Sequence, residues 1–122
     1  MENFNEKIAI LLKKVGVTPA NRGWKFLKEA VEMVVEDNDV IDGITKRLYP
    51  DIAKKFGTTS HAVERIIRYS VNKSFDNMPE HLIYFIFGNT LGSKNRKATN
   101  SEFITTLAEL VTSEPNNPIW SM

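Results

Sequence analysis

The sequence predicts an all-α domain. Three observations carry that expectation: apolar residues recur at helical spacing in successive stretches, capping residues and glycines punctuate those stretches, and no alternating β-branched run bounded by hairpin turns occurs. No internal repeat is visible. A chain of 122 residues fits one domain and can bury roughly two thirds of its unfolded surface.

The elements follow in order. Ile8, Leu11, Leu12 and Val15 mark a short first helix, closed by Gly16 where a left-handed cap belongs. Thr18 and Pro19 read as N-cap and first helical residue of a second helix, whose apolar row is Trp24, Leu27, Val31, Val34 and Val35. It should end near Glu36, because the acidic run Glu36-Asp37-Asn38-Asp39 opposes the dipole of a helix C-terminus. Ile41, Ile44 and Leu48 support a further helical stretch before Pro50. From Tyr49 the pattern is two short helices about a tight turn at Gly57, with Ile52, Ala53 and Phe56 on the first and Val63, Ile66, Ile67 and Val71 on the second. Asn77 with Glu80, and Thr99 with Glu102, have capping-box spacing ahead of two more apolar helices. Residues 88–100 between them read as a loop, and the EPNNP stretch after Ser113 lacks periodicity. The expected organisation is one unit over 1–113, a helix-turn-helix at 49–73 within it, and a frayed tail over 114–122.

Composition removes whole classes of function. Apolar residues make up 42% and charged residues 25%, which is too apolar for a disordered chain. The longest apolar runs, Ile8–Leu12 and Leu82–Phe87, fall far short of the ~20 residues that span a bilayer, so no membrane partner is expected. With no cysteine, disulfides, thiolate metal sites and cysteine nucleophiles are excluded together. The acidic start MENFNEK does not suit a secretory signal, and the expected location is cytoplasmic.

Two histidines, His61 and His81, fall on different helices without metal-ligand spacing. Glu36, Asp37, Asp39 and Asp42 resemble a calcium loop, but Ile41 occupies a ligand place; a solvated helix end is the simpler reading. Gly88 and Gly92 lack phosphate-loop spacing. Trp24, Phe26, Tyr84, Phe85 and Phe87 could stack on bases, but their helical spacing makes most of them core. Nothing resembles a catalytic set, so the chain is expected to be neither an enzyme nor dependent on a cofactor.

Charge is uneven. The overall balance is +1, yet residues 43–73 carry seven basic groups against Asp51 and Glu64, a local +5. That basic segment coincides with the paired helices. A helix-turn-helix needs a small residue where its helices cross, a left-handed residue in the turn and apolar residues on the back of the second helix. In a twenty-residue window from Tyr49, Ala53, Gly57, Val63 and Ile66 fill the fifth, ninth, fifteenth and eighteenth places. Opposite them, His61, Glu64, Arg65, Arg68 and Asn72 offer donors and acceptors for base edges and phosphates, with Lys54, Lys55 and Lys73 alongside. This face suits the major groove of duplex DNA. The plainer alternative is an αα-corner with a solvated charged face; the basic balance favours DNA.

The same residues resemble the C-terminal DNA-binding effector domain of stage zero sporulation protein A, the master regulator of sporulation in endospore-forming bacteria. The likeness runs from about Ile8 to Leu110, through ITKRLYPDIAKKFGTT, VERIIR, Phe87-Gly88 and TNSEFI. It implies a six-helix domain acting as a response-regulator effector in transcription regulation. It also implies a short DNA box, often in tandem copies that could seat a homodimer, and contact with the housekeeping sigma factor of RNA polymerase. Thr58, Thr59 and Ser60 would then set the angle of a recognition helix over about 60–75, on which Glu64, Arg65 and Arg68 match the family. Ala62 departs from it, standing where the family carries an arginine that reads a guanine. The family's domain also normally follows a phosphoacceptor receiver, whereas this chain starts at its first helix; a stand-alone paralogue is the expectation. The rival to DNA binding is a protein-interaction module that modulates a full-length regulator or the sigma factor through the apolar residues of 82–87 and the acidic last helix.

Overall fold

A computed structural model describes residues 4–92 and 96–122; Ser93, Lys94 and Asn95 of the expected loop lie outside the described residues. The described residues form six α-helices and no strand. Helix α1 (Asn5–Lys14) buries Ile8, Leu11 and Leu12. It closes as its glycine predicts, with Gly16 at φ +86° and its N–H bonded to the Lys13 carbonyl at 3.0 Å.

Helix α2 (Trp24–Glu36) starts later than the sequence predicts. Thr18 does not cap it and Pro19 is not its first residue; residues 18–23 form turns, with Asn21 N–H on the Thr18 carbonyl at 2.8 Å. The reason is tertiary. The Asn21 side-chain oxygen accepts both the Gly23 N–H and the Ser70 hydroxyl at 2.8 Å, so a contact with a distant helix decides the turn over a local cap.

Beyond Glu36 the carboxylate of Asp37 accepts the Asp39 N–H at 3.1 Å and pairs with Arg47 at 3.1 Å. A 3₁₀ segment (Asn38–Gly43) and a π-helical turn (Ile44–Leu48) then run directly into α3 (Tyr49–Phe56). Pro50 therefore does not end the stretch: it sits in the first turn of α3, where a missing N–H and a fixed φ are tolerated. Helix α4 (Ser60–Asn77) is not short; it spans 18 residues because buried Ser74 and Phe75 continue its inward row.

The expected capping box at Asn77 does not form. Asn77 is the last residue of α4, and Pro79 takes the N-cap position of α5 (Glu80–Leu91). Proline forces the residue before it out of the helical region, so Met78 turns extended and the break falls one residue later. Helix α5 continues through Leu91, into the expected loop, because Phe87 and Leu91 are buried. The box that opens α6 (Asn100–Val111) is present: the Thr99 hydroxyl accepts the Glu102 N–H at 3.1 Å, and the Glu102 carboxylate accepts the Thr99 N–H at 2.9 Å.

The C-terminal segment is docked rather than frayed. Pro118–Ser121 make a 3₁₀ turn capped by Asn117, and Ile119 is fully buried. One buried apolar residue anchors a segment with no periodicity to announce it.

Helix α2 packs against α1 and α6, and α4 packs against α3, α2 and α6. Phe75, Phe87 and Phe103 join α4, α5 and α6, with ring centroids 4.9 Å apart for the first pair and 5.5 Å for the stacked second. Of the aromatic residues read mostly as core, Phe26 and Phe87 are buried and Trp24 half-buried, whereas Tyr84 and Phe85 face outward. No described helix is long and apolar enough to cross a membrane.

Candidate nucleic-acid interface

The candidate interface is built around Gly57. At φ +67° and ψ 38° it holds the left-handed conformation, and the N–H groups of Gly57 and Thr58 both return to the Ala53 carbonyl. A β-carbon at Gly57 would meet nothing within 4 Å, so the demand for glycine is conformational. Ala53 is buried on α3, where it lets the backbones of α3 and α4 approach. Thr59 opens α4: its hydroxyl accepts the Ala62 N–H at 3.1 Å, satisfying one of the free donors of the first turn. Val63, Ile67 and Val71 point inward; Ile66, placed with them by spacing, is only half-buried.

The outward face of α4 carries His61, Arg65, Arg68, Asn72 and Lys73, all exposed, with Ser60, Ala62 and Glu64 half-buried. Ala62 lies on the flank of this row, one turn before Ile66. The Arg68 guanidinium pairs along the helix with Glu64 at 3.2 Å, a surface contact of small energy that orients Arg68 without trapping it. Thr58 is exposed in the turn, and Lys54 and Lys55 are exposed on the last turn of α3. Lys55 is drawn to α2 by Glu29 at 2.8 Å, and that carboxylate raises the lysine's pKa. Among the described residues Lys54, Arg65 and Lys73 are in no ion pair. Folding thus sorts cations that composition treats alike.

Two flanking elements hold α4 in place. Asn100, at the start of α6, donates from one amide nitrogen to the Tyr49 hydroxyl at 3.0 Å and to the Glu64 carbonyl at 3.2 Å, tying both helices of the unit to α6. Burial raises the pKa of the Tyr49 phenol, which this amide bond partly offsets. On the other side, the Ser74 hydroxyl donates to the Val15 carbonyl at 2.6 Å and Ser70 binds Asn21. A helix fixed at three points can present its outer row as a rigid surface.

The family model described as the sporulation initiation factor Spo0A C terminal matches residues 8–111 of this chain. The chain belongs to that family. The Spo0A C-terminal family consists of DNA-binding domains of sporulation transcription regulation, a regulatory class and not an enzyme class. Two features that the Spo0A-type pattern did not bring forward emerge from the geometry. Tyr69 stands 64% exposed on α4 with the Lys73 ammonium 5.8 Å from its ring centre, and its place four residues after Arg65 was available as a signal. Asn100 acts through a contact 51 residues away in sequence, which no local pattern reports.

Proposed function

We propose that this Spo0A-type domain is a sequence-specific regulator of transcription that lays α4 in the major groove of duplex DNA, in the cytoplasm where that DNA is found. The observation carrying the proposal is the α3–Gly57–α4 unit, with Arg65, Arg68, Asn72 and His61 on one exposed ridge backed by a buried row. Base reading falls to Arg65, Arg68 and Asn72, and Lys54 and Lys73 serve phosphates. Tandem boxes would bring two copies side by side. Selection of bound sites from random duplex DNA tests the proposal: wild type should enrich a short box, and Arg65→Ala with Arg68→Ala should abolish the enrichment. Each single change should cost about 1–3 kcal/mol if the side chain reads a base edge. Wild-type enrichment by the double variant would remove α4 from the reading.

One observation favours a second function. Tyr84 is 77% and Phe85 44% exposed on α5, an apolar pair suited to a protein partner such as the housekeeping sigma factor or a full-length regulator. Salt separates the two activities, because DNA affinity falls with a log–log slope of about −0.9 per neutralised phosphate, whereas an apolar contact hardly responds.

A further inference from the structure

The exposed row of α4 is flanked by two concavities. One, toward α6, is lined by Glu64, Arg68, Asn72 and Asn100 among others and so contains a carboxylate. The other, of ≈ 500 Å³, is lined by Arg22, Arg65, Ile66, Tyr69 and Lys73 with the turn at Ala20 and Asn21, and no carboxylate lines it. Arg22 belongs to the α1–α2 connection, outside the helix-turn-helix. Like Arg65 and Lys73 it is exposed and in no ion pair among the described residues. Its backbone is nonetheless fixed against α4 on both sides: Asn21 accepts the Ser70 hydroxyl, and Gly23 touches Ser70 so closely that no β-carbon fits between them. Three unneutralised cations from two elements therefore converge on one hollow, and the element supplying Arg22 is already ordered, which lowers the entropic cost of binding an anion there.

We propose that Arg22 and Lys73 form a clamp for a backbone phosphate of the bound duplex, on the α2 side of the recognition helix, while Arg65 at the edge of the hollow turns to the bases. This rests on the DNA-binding reading above. A helix in a major groove ≈ 12 Å wide has a phosphate strand on each flank, and the cation-lined hollow faces one of them. A phosphate contact holds register and carries no sequence information, so Arg22 adds affinity and orientation while the outer row of α4 chooses the box.

The test is anisotropy titration of labelled duplexes, box and random, between 50 and 200 mM salt, with wild type, Arg22→Ala and Arg22→Lys; thermal melts check that the exposed substitutions leave folding unchanged. Arg22→Ala should flatten the salt slope by about 0.9, so that its deficit relative to wild type shrinks about 3.5-fold across that range. The box-to-random ratio should stay constant, and Arg22→Lys should restore most of the slope. A methylphosphonate scan should find one position that weakens wild type and leaves Arg22→Ala indifferent. If wild type binds duplex and Arg22→Ala matches it in affinity and slope, the clamp is wrong and the DNA reading stands. If wild type binds no duplex, the underlying reading fails and the clamp with it. Arg22-dependent binding of inorganic phosphate or a mononucleotide tighter than about 1 mM, with an unchanged DNA slope, would give the hollow to a free anion and overturn the proposal.

Discussion

Gly23 and Ser70 are in such close contact that a β-carbon on the glycine would stand 2.0 Å from the serine hydroxyl oxygen and 2.8 Å from its Cβ. The connection before α2 therefore docks on α4 backbone to side chain. Gly23→Ala should push Ser70 away, break its bond to Asn21 and destabilise the domain by about 1–3 kcal/mol. Ser70→Gly opens the space, at a cost of about 1 kcal/mol for glycine in a helix. The double variant should thus be more stable than the sum of the singles implies, and strict additivity in urea unfolding would show that the two residues do not touch.

Ala53 and Gly57 limit the helix-turn-helix in different ways, one by space and one by conformation. Ala53→Leu overpacks a buried crossing and should cost about 1–3 kcal/mol. Gly57→Val has room for its side chain but demands a β-branched residue at φ +67°. Both should lower the melting temperature and weaken DNA binding together. Wild-type melting of both variants would place the turn elsewhere.

Ala62 presents a methyl group at the place where the resemblance to the family implies a guanidinium. Alanine cannot donate to guanine but can contact a thymine methyl, so discrimination at one guanine of the family box should be flat or shifted toward T. Ala62→Arg should sharpen it by about 1–3 kcal/mol, the worth of a bidentate pair. Competition between the family box and a single-base variant reads this directly. Wild type already separating the two by more than about 2 kcal/mol would mean that another side chain reads that base.

The Glu102 carboxyl is held at about 2, well below its ordinary 4.5, first by the Arg96 guanidinium and then by the Thr99 N–H. A depressed carboxylate stabilises the folded state above its unfolded pKa, and the contribution disappears as pH falls through the folded value. Glu102→Gln should therefore be less stable than wild type near neutrality, with the difference closing between pH 4.5 and about 2. A stability gap that stays constant across that window would show that charge on Glu102 does not matter to α6.

Elements signalled by neighbours in sequence were legible; those decided by distant partners were not. Gly57, Ala53 and the apolar row of α4 announce the helix-turn-helix because its geometry is local, and Thr99 with Glu102 announces α6 for the same reason. Thr18 misleads because the start of α2 is chosen by Asn21 and Ser70, 49 residues apart. Asn77 is the exception, misread although its cause is local: Pro79, two residues on, and buried Met78 move the break. The candidate site was legible as residue types on one helix face, but which cations remain unpaired was not: Lys55 is engaged by Glu29, 26 residues distant, and Arg22 reaches α4 only through folding.

The mixed winding ahead of α3 preserves rotational phase. Six residues of 3₁₀ helix, Asn38–Gly43, are overwound, and the five of the π turn, Ile44–Leu48, are underwound. At 3.0 residues per 3₁₀ turn and about one turn for the π segment, the eleven residues complete roughly three turns, close to the 3.6 residues per turn of a plain α-helix. The two distortions cancel. Buried Val40 and Leu48 and the inward residues of α3 therefore keep one azimuth, and the spacing of Ile41, Ile44 and Leu48 reads as ordinary helix although none of those turns is α-helical. A single-residue deletion within 44–48 should be absorbed by converting the π turn to α, whereas one within 38–43 has no slack to draw on and would rotate α3, and Gly57 with it, away from α4.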